Sequence, residues 1–181
     1  SDLVGGEGVT ALSNGNYVVS SPFWDNGATA NAGAVTFGNG LGGTVGAVSA
    51  ANSLVGTTAN DRVGRGGLGG GSGGVIALAN GNYFVSSDFW ANGAAGSAGA
   101  VTFGDGTSGI SGAVSAVNSL VGTIANDQIG SGGVTPLSNG SVVVRSPLAN
   151  NGAIVDAGLV HVVVPPGGGG FTNPLGFADN A

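Results

Sequence analysis

The sequence predicts an all-β protein built from tandem four-stranded antiparallel repeats. Three observations carry that prediction. One ordered set of motifs recurs three times, short Val-rich runs alternate with Asn-Gly turns, and no 3.6-residue apolar period persists anywhere. Composition agrees. Of 181 residues 40 are Gly, roughly three times the ordinary share of about 7 %. The Gly has no every-third-residue period and Pro is only 6, which excludes collagen. Hydrophobic residues make up 41 % and charged residues only 7 %, the reverse of a disordered chain, so a folded, weakly charged array is expected.

The copies align motif by motif. Val9-Thr10-Ala11-Leu12 matches Val75-Ile76-Ala77-Leu78 and Val134-Thr135-Pro136-Leu137. Asn14-Gly15-Asn16-Tyr17 matches Asn80-Gly81-Asn82-Tyr83 and Asn139-Gly140-Ser141-Val142. Ala32-Gly33-Ala34-Val35-Thr36-Phe37-Gly38 matches Ala98-Gly99-Ala100-Val101-Thr102-Phe103-Gly104, and Asn52-Ser53-Leu54-Val55-Gly56 matches Asn118-Ser119-Leu120-Val121-Gly122. Asp2, Asp61 and Asp127 open the copies, giving repeat one at 1–60, repeat two at 61–126 and a truncated repeat three at 127–164. A Gly-rich insertion lies within 65–74. After Val164, Pro165-Pro166 and four Gly end regular structure, so 165–181 reads as a linker and C-terminal arm.

Within copy one, residues 9–12 and 17–21 form a hairpin around Ser13-Asn14-Gly15-Asn16, where Gly takes positive φ at low cost. A loop from Pro22 to Asn31 carries Phe23 and Trp24. Residues 34–37 make a third strand, and a fourth lies within 45–55. Four antiparallel strands in about 60 residues suit a propeller blade better than a solenoid rung, with a β-prism or β-solenoid as alternatives.

Composition also excludes partners. The net charge is −6 and the only bases are Arg62, Arg65 and Arg145, so no basic stripe exists for a phosphate backbone and nucleic acid is not expected. No apolar run reaches the ~18 residues of a membrane helix, so no membrane insertion is expected. With no Cys, the chain has neither disulfide framework nor thiolate site. No signal-peptide pattern opens the numbered chain, as in a mature or excised segment.

The recurring order Asp-x-Val/Ile-Gly, Gly-Val-Thr-Ala-Leu, Asn-Gly, Tyr-Val-Val-Ser-Ser-Pro, then Ala-Gly-Ala-Val-Thr-Phe-Gly resembles the FG-GAP repeat. It resembles more closely the tandem repeats of large secreted bacterial adhesins of the filamentous-haemagglutinin type. The resemblance implies β-propeller blades and a secreted, cell-surface-associated place. Many FG-GAP repeats bind calcium through an Asp-rich loop. The corresponding loops at residues 13–16, 79–82 and 138–141 hold no carboxylate, so that metal site does not carry over.

Catalytic chemistry finds no support in the residues. His161 is the only His and sits in the alternating Leu159-Val160-His161-Val162-Val163-Val164, where an outward-facing position is expected. One His with no nucleophile motif makes no triad, and the nine acids form no pair across a recognisable cleft. The equivalence of Asp2, Asp61 and Asp127 predicts a structural role, holding turns through side-chain-to-backbone hydrogen bonds. Residues 68–74 precede a strand rather than a helix, so they lack the helix N-terminus that holds phosphate. Phe23, Trp24, Phe89 and Trp90 occupy equivalent loops. One of each pair is expected to pack between repeats, with an aromatic platform for a glycan or partner protein as the functional alternative.

The expected function is therefore a non-enzymatic structural or adhesive module with no catalytic residue, cofactor or metal. Its partners would be copies of itself in a homo-oligomer or filament, flanking repeats of a longer chain, or a glycan or host surface protein. A lectin-like carbohydrate-binding module is the alternative. Copy three lacks an equivalent of residues 52–56, which predicts an unpaired strand edge and self-assembly through it.

Overall fold

The computed structural model describes residues 2–67 and 73–165, and all regular structure within them is β. Copy one contributes β1 (Gly8–Ala11), β2 (Tyr17–Ser21), β3 (Ala34–Gly38) and β4 (Ser53–Val55). Copy two contributes β5 (Val75–Ala77), β6 (Tyr83–Ser87), β7 (Ala100–Gly104), β8 (Gly112–Ala113) and β9 (Ser119–Val121). Copy three contributes β10 (Val134–Pro136), β11 (Val142–Ser146) and β12 (Leu159–Val163). The core of the Gly-rich insertion and the arm from residue 166 onward lie outside the described residues.

Each copy is a meander. In copy one, Val9 pairs with Val19, Val19 with Thr36, and Thr36 with Ser53. Copies two and three repeat the register. The hairpin turn closes identically in all three: the Gly15, Gly81 and Gly140 N–H groups donate to Leu12, Leu78 and Leu137, each 3.1 Å away. The three Gly residues adopt φ of +87°, +88° and +83°. A side chain there would be strained, so Asn-Gly fixes the turn and hence which face each strand residue takes.

The expected fourth strand differs in two ways. Only its last part, Ser53–Val55, is strand in copy one. In copy two the same stretch yields two strands, and β8 leaves its own sheet. It pairs in parallel with β4 of copy one, Leu54 opposite Gly112 and Val55 opposite Ala113. The sheets are therefore β1-β2-β3-β4-β8, β5-β6-β7-β9 and β10-β11-β12, and among the described residues they close into neither barrel nor propeller. Gly and Ala bring little β-propensity to β8, and what holds it is the open edge of β4.

Alternation sends each strand's residues to two junctions. Leu12, Val18, Val35, Leu54 and Val63 meet Val75, Tyr83, Val85, Trp90, Ala100 and Val114 of copy two. Their equivalents Leu78, Phe84, Val101, Leu120 and Ile129 meet Val142, Val144, Ala149 and Val163 of copy three. Removing this apolar surface from water, at roughly 25 cal/mol per Å2, is what binds sheet to sheet.

His161 corrects the outward reading. It is buried, because its strand places Leu159, His161 and Val163 toward copy two while Val160 and Val162 face solvent. The apolar character of the five residues around His161 in this run hid which parity was inside. His161 holds the position of Thr36 and Thr102, whose hydroxyls meet Ser53 and Ser119 at 2.7 Å. Copy three has no fourth strand among the described residues, and the His161 Nδ1 has no hydrogen-bond partner.

Candidate functional site

The chemistry of this chain is concentrated where one repeat meets the next. The central element is the Asp-x-Val/Ile-Gly connector, residues 61–64 and 127–130. It follows the last strand of one copy and lies on that copy's Ala-Gly step. Arg62 N–H donates to Asn31 at 3.1 Å and Val63 N–H to Ala32 at 3.0 Å. Gln128 and Ile129 donate to Ser97 and Ala98 at the same distances. The approach is close enough to require glycine: a Cβ on Gly33 or Gly99 would collide with the backbone of Val63 or Ile129. Gly33 and Gly99 also take φ of +78° and +80°, which a side chain would strain.

Two serines clamp each connector. The Ser20 hydroxyl donates to the Gly64 carbonyl at 2.7 Å, and the Gly64 N–H donates to the Ser87 hydroxyl of copy two at 3.2 Å. At the second junction Ser86 reaches Gly130 at 3.4 Å, and Gly130 N–H reaches Ser146 at 3.0 Å. The connector glycine thus joins two sheets through its one donor and one acceptor, and buried polar groups are satisfied where they would otherwise destabilise the core.

Asp61 and Asp127 act as staples. One Asp61 oxygen accepts the N–H groups of Thr57 and Thr58 at 2.9 and 2.8 Å, and the other accepts Ala91 N–H of copy two at 3.0 Å. Asp127 accepts Ile124 N–H and, across the junction, the backbone and side-chain N–H of Asn150, all at 3.0 Å. Burial pushes the Asp61 carboxyl above its ordinary value, opposed by the Thr58, Ala91 and Thr57 N–H groups. Asp2, the third equivalent, is exposed.

The aromatic pairs divide across a tight turn, closed by the Trp24 N–H on Ser21 at 3.1 Å and the Trp90 N–H on Ser87 at 3.0 Å. Trp24 and Trp90 are buried. Phe23 and Phe89 are half-buried, and the Arg62 guanidinium lies 5.8 and 5.4 Å from their ring centres, with Arg65 4.7 Å from that of Phe89. This cation-aromatic pile occurs at the first junction. Beside it sits the buried Asp88, whose equivalents in the other copies are Pro22 and Pro147. Burial pushes Asp88 up to about 6, against the pull of N–H groups at Asp88 and Phe89 and the charges of Arg65 and Arg62. Sequence reasoning passed over Asp88, although an acid in a Pro position of an otherwise matching repeat was the available signal.

Among the described residues, neither the first face of copy one nor the last face of copy three is covered as the junctions are. On the first face of copy one, Val9 is 65 % exposed while its equivalent Val75 is 5 % exposed. Val4 is 61 % exposed while Val63 and Ile129 are buried. On the last face of copy three, Val160 and Val162 are 52 % and 43 % exposed. Among the described residues no cluster of His, Asp or Glu is arranged to hold a metal.

No curated protein matches the chain. A family model does match, in three segments: 11–65, 77–131 and 136–161. The first two run from β1 or β5 through the connector, so in the family's phase the connector closes the preceding unit, as its hydrogen bonds also place it. The three segments together span well over half the chain, which belongs to DUF5650, a repeat of unknown function.

Proposed function

We propose that this chain is a non-enzymatic structural and adhesive repeat module of a secreted or cell-surface bacterial protein, assembling through its end faces and strand edges into a filament or array. The observation that carries the reading is the match between buried and open faces. Copy two presents Val75, Tyr83 and Val85 to copy one, and copy one presents the equivalent Val9, Tyr17 and Val19 to solvent or a shallow groove. An apolar face of this kind at the end of a repeat array is either capped by polar residues or covered by another unit. Here no Lys guards it, and copy one's first face carries no Arg.

The FG-GAP-like motif order belongs to the same reading, and with it the secreted, surface-associated place. Burial of Trp24 and Trp90 supports the structural role over a lectin-like one, because neither ring offers a face to a sugar. Burial of His161, with its Nδ1 making no hydrogen bond, supports a non-enzymatic role.

Light scattering of the full chain across a dilution series, followed by electron microscopy, tests the proposal. Mass that rises with concentration, with threads or rings in the micrographs, is expected. A monomer at every concentration would contradict it.

A further inference from the structure

The connector exists three times in this sequence, and its receiving ledge also exists three times, but among the described residues only two of each are paired. Residues 61–64 lie on Ala32-Gly33 and residues 127–130 on Ala98-Gly99. The connector at residues 2–5 precedes the first family-matched segment, and the ledge Ala157-Gly158 belongs to the third, which carries no connector among the described residues. We propose that residues 2–5 of one chain dock on Ala157 and Gly158 of a second copy, making an intermolecular junction of the kind already present twice within the chain. This rests on the self-assembly reading above and names its contact.

Both halves already hold the geometry they need. Leu3 has a φ of 36°, matching Arg62 at 48° and Gln128 at 44°, a left-handed conformation rare for such residues. Gly5 has a φ of +75° beside +84° and +89° for Gly64 and Gly130. Gly5 N–H is held by the Ser21 hydroxyl at 2.9 Å, as Gly64 and Gly130 are held by Ser87 and Ser146. Val4 is thus fixed in a connector's pose, yet exposed.

The ledge matches equally. Asp156 has a φ of 52° beside 50° for Asn31 and 51° for Ser97, and Gly158 has +78° beside +78° and +80°. Ala157 and Gly158 are exposed while both equivalents are buried. A Cβ on Gly158 would come no nearer than 3.6 Å to Pro147, where on Gly33 it would strike the connector. The ledge lines an open groove of about 410 Å3 with Arg145, Pro147 and Val160.

Docking in the internal register places Leu3 N–H on the Asp156 carbonyl, Val4 N–H on the Ala157 carbonyl, and Gly5 against Val160. Internally, Gly64 and Gly130 lie against Val35 and Val101 in just this way. Arg145 stands where Ser20 and Ser86 donate to the connector glycine, and its guanidinium supplies a donor for the Gly5 carbonyl. The contact is heterologous, head to tail, and so propagates.

The test uses two charge substitutions at exposed positions in the full chain: Val4→Asp on the connector and Val160→Asp on the ledge side. Each alone is expected to weaken self-association by about a hundredfold or more, because the charge is buried on docking. Their equimolar mixture restores one intact contact, the connector of V160D on the ledge of V4D, and should give a dimer and nothing larger. That dimer also shows both variants folded. Association of each variant equal to that of the parent, or a mixture that stays monomeric while the parent associates, overturns the assignment of this contact and leaves assembly itself standing. A parent that never associates overturns the underlying reading too. If the parent is monomeric and associates only once residues 166–181 are removed, that segment occupies the ledge and the proposal fails.

Discussion

The two internal junctions share a centre and differ at the rim. In both, a connector lies on an Ala-Gly step, a Gly links two serine hydroxyls, and an Asp reaches across to the next copy's loop. The first junction adds a polar clasp: the Asn14 and Asn16 side chains donate to the Gly106 carbonyl at 2.7 and 2.8 Å, and the Ser13 hydroxyl to Ala79 at 3.0 Å. It also adds the β4–β8 pairing and the rings of Tyr83 and Trp90, where the second has Val142 and Ala149. Backbone-level contacts thus set how repeats dock, while side-chain volume and the rim set how tightly they hold.

Trp90→Ala breaks the comparison hardest. It gives the first junction the residue that the second already has at Ala149, and should cost about 3–5 kcal/mol in denaturant unfolding. Trp24→Ala should cost less, since Trp24 packs in a small cluster with Ala34, Val55 and Val48 at the uncovered end. Equal losses would show that the end face is as well packed as the junction.

Removing a staple comes next. Asp61→Ala orphans the Thr57, Thr58 and Ala91 N–H groups and should cost about 2–3 kcal/mol. Asp2→Ala should leave the melting temperature of the dilute chain unchanged, because Asp2 is exposed. In native-state hydrogen exchange, the amides of β11 and β12 should open before those of β2 and β3, because the second junction lacks the clasp.

Acid should sharpen the contrast by about 1 kcal/mol. The folded Asp88 carboxyl titrates near 6, above its ordinary 3.8, so the native state holds this proton more tightly than the unfolded chain. Its charge destabilises the first junction at neutral pH, and that penalty is relieved as pH falls from about 6 toward 4. Asp88→Asn should therefore stabilise at pH 7, on the order of 1 kcal/mol after solvent screening, and not at pH 4. Burial depresses the His161 value below 6.5, so copy three instead loses stability as pH falls below 6.5, and His161→Thr should remove that loss. Unfolding monitored from pH 7 to 4 in both variants separates the effects.

Much of this was legible from residues alone. The Asn-Gly turns and alternating Val runs marked residues 17–21 as a strand to the residue, because turn chemistry and side-chain period act locally. β8 was not legible: Gly-Ala has no strand signal of its own, and its partner lies 58 positions earlier in a different copy. The connectors were visible as repeated motifs, but their placement on the preceding sheet depends on a close Gly approach that no local pattern encodes. The interior face of β12 was hidden because Val occupies both parities, so alternation carried no information there.

The central claim is that one connector geometry is covered inside the array and open at its head, and backbone amide exchange reads it directly. Val63 and Ile129 N–H are bonded to Ala32 and Ala98, and the Val4 N–H meets no acceptor among the described residues. In a dilute sample Val4 should exchange freely while Val63 and Ile129 are protected, and raising the concentration should slow Val4 alone. A Val4 amide that is already slow at high dilution, or that stays fast in the assembled state, would contradict the account.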